Sequence, residues 1–423
     1  MDVGIIGCGT AGAASALALS RAGHRVTVYE RVPAPAAIGA GLVLQPTGLL
    51  ALSRLDPAVH AEVAAAGAPI TALRCETPRR RTLVDVAYAE VAPGLCGLGI
   101  HRGVLFRALL RAVQAAPVTL RLGVHIDTLV PDGARHALTT PTGERHGPHD
   151  LVIIADGARS SLRDDTQRAL RTRVSEYAWG ALWFVAPDPD GLLGARLYQI
   201  ADGTRRLLGL LPTGHDPQGT RVGSIFWSIR GDRVPAWRAA GLAPWKADVT
   251  RYAPWTAPLL TSIEHPEQLI YTSYRHVSMP RWHLPGVVYL GDAAHAMSPQ
   301  LGQGANLALF DAMVLADCLA GVAPDAPPPL AALARYSAQR LRHLRYYQRM
   351  TRLLTPLFQS DRGRFFAALR DLSMALACKI GPLRRMMVTT VLGIKRGLLR
   401  RSLPLAPLYD APLLLPEVSP PKA

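Results

Sequence analysis

Three short, almost unbroken apolar runs punctuate this chain: Val3-Gly-Ile-Ile6, Leu151-Val-Ile-Ile154 and Val287-Val-Tyr-Leu290. Runs without polar alternation predict strands buried on both faces, as in a parallel sheet. An Ala/Leu-rich helical pattern follows Gly12, Arg25-Val-Thr-Val-Tyr29 reads as a second strand, and Asn306 to Leu319 reads as a helix. Between Arg173 and Leu284 the texture changes. Gly180–Val185, Ala195–Ile200, Arg206–Leu211 and Gly223–Ser228 are aromatic-rich runs between Gly/Pro/Asp turns, which predicts the strands of one sheet. Tyr271 to His283 reads as a connection leading back to the run at 287–290. Beyond residue 330 the apolar positions fall at helical spacing: Leu341, Leu344, Tyr347, Leu354; then Phe365, Leu369, Leu372, Leu376; then Leu383, Met387, Val391. They predict three amphipathic helices broken near Pro356 and Gly381-Pro382. The expected fold class is α/β: a Rossmann-like domain from 1–172 and 285–322, an inserted, mostly antiparallel sheet domain over 173–284, and a helical region over 330–423. A chain of 423 residues suits two domains and an appendage.

The turns after the apolar runs carry the candidate chemistry. In Gly7-Cys-Gly-Thr-Ala-Gly12, Gly7 suits the tight turn, Gly9 allows close approach to a pyrophosphate, and Gly12 allows helix and strand to pack closely; Ala11 lies between. Glu30, with Arg31 beside it, falls where a carboxylate holds a ribose 2′-hydroxyl, which favours FAD or NAD over NADP. Asp156-Gly157 ends the second run. Gly291-Asp292 ends the third and leads through Pro299, Gly302, Gly304, Ala305 and Asn306 into a helix. A strand running through such a loop aims unpaired N–H groups and a helix dipole at an anion. One dinucleotide held from both parts of the chain is the expectation.

The stretch Gly291-Asp-Ala-Ala-His295 with Pro299-x-x-Gly-Gln-Gly-x-Asn306 resembles the FAD region of the FAD-dependent aromatic-ring hydroxylases, the single-component flavoprotein monooxygenases of the p-hydroxybenzoate hydroxylase type. Asp156-Gly-x-x-Ser160-x-x-Arg163 resembles a second motif of that family, Ile38 to Pro46 its loop along the FAD, with Gly41, and Arg102-Gly-Val-Leu its Arg-x-x-Leu helix. The resemblance covers roughly residues 1 to 320. It implies that Arg102 approaches the FAD and that Ile126 gives a backbone contact to adenine. It implies NADH or NADPH as hydride donor, O2 adding at flavin C4a, and delivery of oxygen by the hydroperoxide to an electron-rich aromatic or lipophilic substrate. The sheet would roof the flavin ring. With one glycine-rich Rossmann start, the nicotinamide would bind transiently. No catalytic base is assigned: Tyr271, Tyr274, His276 and His283 precede the third run, and His295 reads as organising the flavin loop.

Five scattered cysteines without Cys-x-x-Cys spacing argue against a dithiol reductase, a metal site or a disulfide framework, and Cys8 reads as packing. The run from Val32 to Ser53 is broken by prolines and glycines. With no leader ahead of the first strand, a cytoplasmic protein is expected. The net charge is +16, and fourteen arginines and two lysines against two aspartates lie within 335–401. This basic region reads as peripheral contact with the inner membrane or a protein, or as solvated faces on packed helices; no nucleic-acid module accompanies it. The Trp-x-Trp-x-Ile-Pro signature of halogenases is absent. A reductase of the geranylgeranyl type and a non-catalytic membrane-recruited flavoprotein are the alternatives.

Overall fold

The computed structural model describes residues 1–35, 40–165, 167–323, 326–398 and 402–403; Ile38 and Gly39 of the loop before Gly41, and part of the 323–329 linker, lie outside the described residues. The apolar runs form the middle of a six-stranded sheet, in the order 283–284, 287–289, 151–154, 2–6, 25–30, 118–122. All neighbours are parallel except His283–Leu284 against Val287–Val288. Val3, Ile5, Val28, Ile153 and Val288 are completely enclosed, so the absence of polar alternation follows from both faces being covered. Helix Thr10–Arg21 packs on helix Gly304–Leu319. Ala13, Ala14, Ser15 and Ala16 are small enough for close approach, and Ser15 donates its hydroxyl to the Ala11 carbonyl at 2.8 Å, so burying it costs little.

A seven-stranded sheet, in the order 270–278, 173–187, 221–230, 206–215, 196–202, 72–76, 82–87, is antiparallel except where 196–202 meets 72–76. Two features of it were not expected. Residues 72–87 supply two strands from well ahead of 173. The side chains of Cys75, Val84 and Val86 are buried on one face, while on the other Arg74 pairs with the buried Glu76 and with Asp85, and so many charges in short strands disguise them. Ile270–Ser278, read as a connection, is an edge strand, half exposed and polar enough to hide its period. One face of the sheet is covered by helix Leu242–Tyr252, whose Trp245, Val249 and Tyr252 pack on Leu210, Ile225 and Trp227. The other face meets a small sheet of 41–44, 97–101 and 68–70. There the Gly41 N–H donates to Ser224 Oγ at 2.7 Å, and a Cβ on Gly99 would stand 1.9 Å from the Pro212 carbonyl oxygen.

The C-terminal region forms helices Leu330–Phe358, Gly363–Lys379 and Gly381–Val391. Pro356 lies in the last turn of the first helix, so the break falls at 359–362. Leu333, Tyr336, Leu344 and Tyr347 of that helix enter the same core as Val288 and Leu309. Much of the basic region is therefore structural.

Candidate active site

Gly7, at φ +96°, donates its N–H to the Tyr29 carbonyl at 2.8 Å. A Cβ there would lie 2.6 Å from the Ala155 carbonyl oxygen, and one on Gly12 would lie 1.9 Å from that of Gly7, whereas one on Gly9 would meet nothing within 4 Å. Gly7 and Gly12 thus serve packing, and Gly9 leaves space open at a helix start that no side chain caps. That arrangement is a cradle for an anion. Cys8 is buried, its thiol pushed up to about 12 by burial and by Glu30, which fits packing and not nucleophilic chemistry.

An open cleft adjoins this turn, with about 420 Å³ of non-protein space. Gly7, Glu30, Arg31, Ile126 and Asp156, distant in sequence, converge on its wall. Val124, His125 and Arg159 also line it; they were not singled out from sequence because loop side chains carry no periodic signal. Ile126 stands in the loop between strands 118–122 and 128–132 and is not a strand residue. Glu30 accepts the Cys8 and Val32 N–H groups at 2.8 and 3.0 Å, and each oxygen keeps a lone pair for a hydroxyl. Burial pushes the Asp156 carboxyl up to about 6, against a hydrogen bond from Ser160 and the charges of Arg163 and Arg31. Its Oδ1 is buried with no partner. Gly157, at φ +89°, borders open space, where a Cβ would meet nothing within 4 Å. Arg163 is buried and donates to the Ala158 and Ala293 carbonyls at 3.1 and 3.2 Å, tying this turn to the Asp292 turn.

At the third turn Gly291 has φ +59°, and its missing Cβ would stand 2.9 Å from the Ala11 Cβ, so the two glycine loops abut. Asp292 is exposed, with Oδ1 4.0 Å from where a Cβ on Gly304 would lie. Pro299, Gly302 and Gly304 are exposed, Ala305 is half-buried, and Gly302 takes the left-handed conformation at φ +60°. Helix Gly304–Leu319 starts two residues earlier than expected and has no side-chain cap, so its first N–H groups stay available.

Asn306 does something different. Its Nδ2 donates to the Val43 and Gly302 carbonyls, both at 3.0 Å, and its Oδ1 accepts the Gln45 N–H at 2.7 Å. The side chain is committed to holding the loop against strand 41–44. Gly41 is equally committed to Ser224 and Thr213, which a Cβ would strike at 2.4 and 2.7 Å. Arg102 begins helix Arg102–Ala115, donates its N–H to the Ala40 carbonyl at 3.2 Å, and is exposed; it does not itself line this cleft.

Beneath the loop lies a buried junction that sequence reasoning missed. Asp311, fully enclosed, accepts the Gly291 N–H at 2.9 Å, His295 Nε2 at 2.6 Å and Arg340 Nε at 2.6 Å. Despite burial, these partners hold its carboxyl below the ordinary range. Arg340 NH1 lies 2.8 Å from His343 Nδ1, and His343 Nε2 lies 2.8 Å from the Gly393 carbonyl. Burial and Arg340 push His343 down to about 3, so it is neutral, with its proton on Nε2. His295 stacks on Trp282 at 5.0 Å and serves the loop as expected. Asp311 lay within the helix read from Asn306 to Leu319, but nothing in sequence marked it, or Arg340 among the fourteen tail arginines.

Of the residues considered for acid–base work, Tyr274 is buried with its phenol pushed well above the usual range, and His276 and His283 are buried with their imidazoles pushed down. None is assigned as catalytic. Among the described residues no His/Cys/Asp/Glu group could hold a metal. The open space at Gly9 and Gly157, the orphaned Asp156 oxygen and two uncapped helix starts suit the phosphates and hydroxyls of FAD.

Comparison with known proteins agrees. The family model described as FAD binding domain matches residues 1–351. Aurachin C monooxygenase/isomerase of Stigmatella aurantiaca is 31% identical over 81% of this chain and 85% of that protein. A probable 2-heptyl-3-hydroxy-4(1H)-quinolone synthase of Rhodococcus erythropolis is 29% identical over 74% and 78%. In fold, the chain is similar to PqsL of Pseudomonas aeruginosa, with TM-score 0.74 and 24% identity over 88% of this chain and 99% of that one. It is also similar to HpxO of Klebsiella pneumoniae, with TM-score 0.73 and 21% identity over 93% and 97%. Neither the reductase nor the non-catalytic alternative is favoured by these relatives. The chain belongs to the FAD-binding family of flavin-dependent aromatic-ring hydroxylases and is an FAD-dependent monooxygenase.

Proposed function

We propose that this monooxygenase takes reducing equivalents from NADH or NADPH and hydroxylates an aromatic or otherwise electron-rich lipophilic molecule of secondary or quinone-type metabolism. The observation that carries this reading is an aromatic pair on the sheet face that meets the Gly41 strand. Trp183 and Phe226, both half-buried, stack at 5.0 Å on the sheet face whose Ser224 grips Gly41. Of the relatives, one is named as a monooxygenase/isomerase for aurachin C and another as the probable synthase of a hydroxylated quinolone, a fused aromatic ring system.

Bound FAD supplies the hydride acceptor and the site of oxygen activation. Gly9 and the first N–H groups of helix Thr10–Arg21 would hold the pyrophosphate, Glu30 a ribose hydroxyl, and Ile126 the adenine. Asp156 and Asp292 would accept hydroxyl donors, with Arg102 approaching from its helix start. The Gly302–Ala305 backbone would lie on the flavin side, and the uncapped start of helix Gly304–Leu319 would favour negative charge there. The protein otherwise orients the substrate and excludes water. We place the protein in the cytoplasm, with a peripheral membrane contact through residues 335–401.

Anaerobic photometry tests the reading. NADH or NADPH should bleach the flavin, faster with a bound aromatic ligand, and admitting O2 should yield a product heavier by one oxygen atom. No reduction across a panel of quinolones and hydroxybenzoates would overturn it.

A further inference from the structure

Helix Gly363–Lys379 is turned the wrong way round for a core element. Phe365 (73% exposed), Leu369 (50%), Leu372 (51%) and Leu376 (50%) face solvent. Their steps of four, three and four residues place them within about 60° of arc on an α-helix. Ile380 and Leu383, 48% and 38% exposed, continue the apolar edge into the next helix. The helix is anchored from its other side, by Ala367 and by Arg370, whose guanidinium donates to the Gly203 and Leu357 carbonyls at 2.7 and 3.0 Å and pairs with Asp371. An amphipathic helix normally buries its large apolar side chains and exposes its charges. Here a charge is buried and the leucines are not.

Cations bracket this edge. Arg370 and Arg384 are neutralised by Asp371 and Glu90, but Arg362, Arg364, Lys379 and Arg385 have no acidic partner among the described residues. No described helix is long and apolar enough to cross a membrane, so contact of this edge with a bilayer would be along its surface. We propose that this face docks on the surface of an anionic lipid bilayer, with Phe365, Leu369, Leu372 and Leu376 entering the acyl boundary and the four cations at the level of the lipid phosphates. Charge decides among occupants. A second copy would bring the same cations against themselves, on a chain of net charge +16, whereas anionic phosphates complement them. The inference deepens the peripheral contact proposed above; its readout needs no turnover, so its failure leaves the hydroxylase reading standing.

The test is co-sedimentation of the full FAD-loaded chain with vesicles of phosphatidylcholine alone or mixed with phosphatidylglycerol. Binding should occur with the mixed vesicles only and weaken as salt is raised. The pair Leu369→Glu and Leu376→Glu should weaken it about tenfold or more, and Arg364→Gln with Lys379→Gln and Arg385→Gln several-fold, with melting temperature and flavin content unchanged. Wild-type protein left in the supernatant, equal binding to both vesicle types, or full binding by the leucine variant overturns the proposal. So does a wild-type dimer by light scattering that the leucine variant converts to monomer, which would give this face to a second copy.

Discussion

Asp156 lies in a turn whose geometry leaves one carboxylate oxygen buried and unpartnered, and burial pushes its carboxyl from 3.8 up to about 6. The folded apoprotein therefore holds a proton that the unfolded chain has released between those values. Its contribution to stability is complete below pH 3.8 and is lost as pH rises through 6, by up to roughly 3 kcal/mol. Asp156→Asn removes that loss. Melting curves of the apoprotein from acid to neutral pH should show the variant gaining on wild type as pH rises through this window; a wild type that gains on the variant instead would refute the assignment. FAD should reverse the balance. A hydroxyl donated to Oδ1 meets a full charge in wild type and only an amide oxygen in the variant, so affinity should fall by about tenfold. The identity of this residue was legible because its neighbours Gly157, Ser160 and Arg163 are dictated by one local turn. Its unusual proton affinity was not, because that depends on how deeply the folded chain buries the carboxyl, against the opposing charges of Arg163 and Arg31.

At the scale of elements, the third turn and the C-terminal helix act as one unit through Asp311. Its carboxylate holds the Gly291 N–H on one side and Arg340 on the other, and the chain continues through His343 to the Gly393 carbonyl. Arg340→Leu leaves Asp311 as an enclosed carboxylate with only His295 and one N–H. Breaking a buried pair by removing one partner costs about 3–5 kcal/mol, because the remaining charge is stranded. Gly291 and Asp292 should then lose their fixed position, and FAD should dissociate more readily, although Arg340 is a positioning residue and does not touch the cofactor loop's exposed face. Thermal melts and flavin release on dilution measure the two effects; unchanged flavin retention with a lowered melting temperature would reduce Arg340 to a purely structural part. Glycine spacing in the three motifs could be read without coordinates because backbone approach at Gly7 and Gly12 allows no side chain. The Arg340 pairing could not, since helical periodicity says which face is apolar and not which acid lies beneath it. Strands 72–76 and 82–87 were obscured in a similar way by charges that pair only after folding.

For the molecule as a whole, the tail shares one hydrophobic core with the FAD-binding sheet. Leu333, Tyr336, Leu344, Tyr346 and Tyr347 lie in one core with Val3, Ile5 and Val288, and the Tyr336 hydroxyl donates to the Tyr289 carbonyl at 3.3 Å. Each large apolar side chain contributes about 1.5–3 kcal/mol on burial. Five of them amount to roughly 10 kcal/mol, comparable with the entire stability of a typical domain. The end of the tail closes on the cofactor loop too. The Val391, Leu392 and Gly393 carbonyls face Gln303 Nε2, Thr47 Oγ1 and His343 Nε2 at 2.7, 3.3 and 2.8 Å. A chain ending at residue 329 should therefore be insoluble or expanded, and without flavin, even though it retains every glycine motif. Soluble expression with a retained flavin spectrum would show that the family's FAD-binding half folds alone and that the tail is an addition. This shared core limits how the membrane face can be probed. Deleting 335–401 would abolish vesicle binding by unfolding the protein, whereas Leu369→Glu with Leu376→Glu changes only side chains that already face water, so only the point substitutions separate docking from folding.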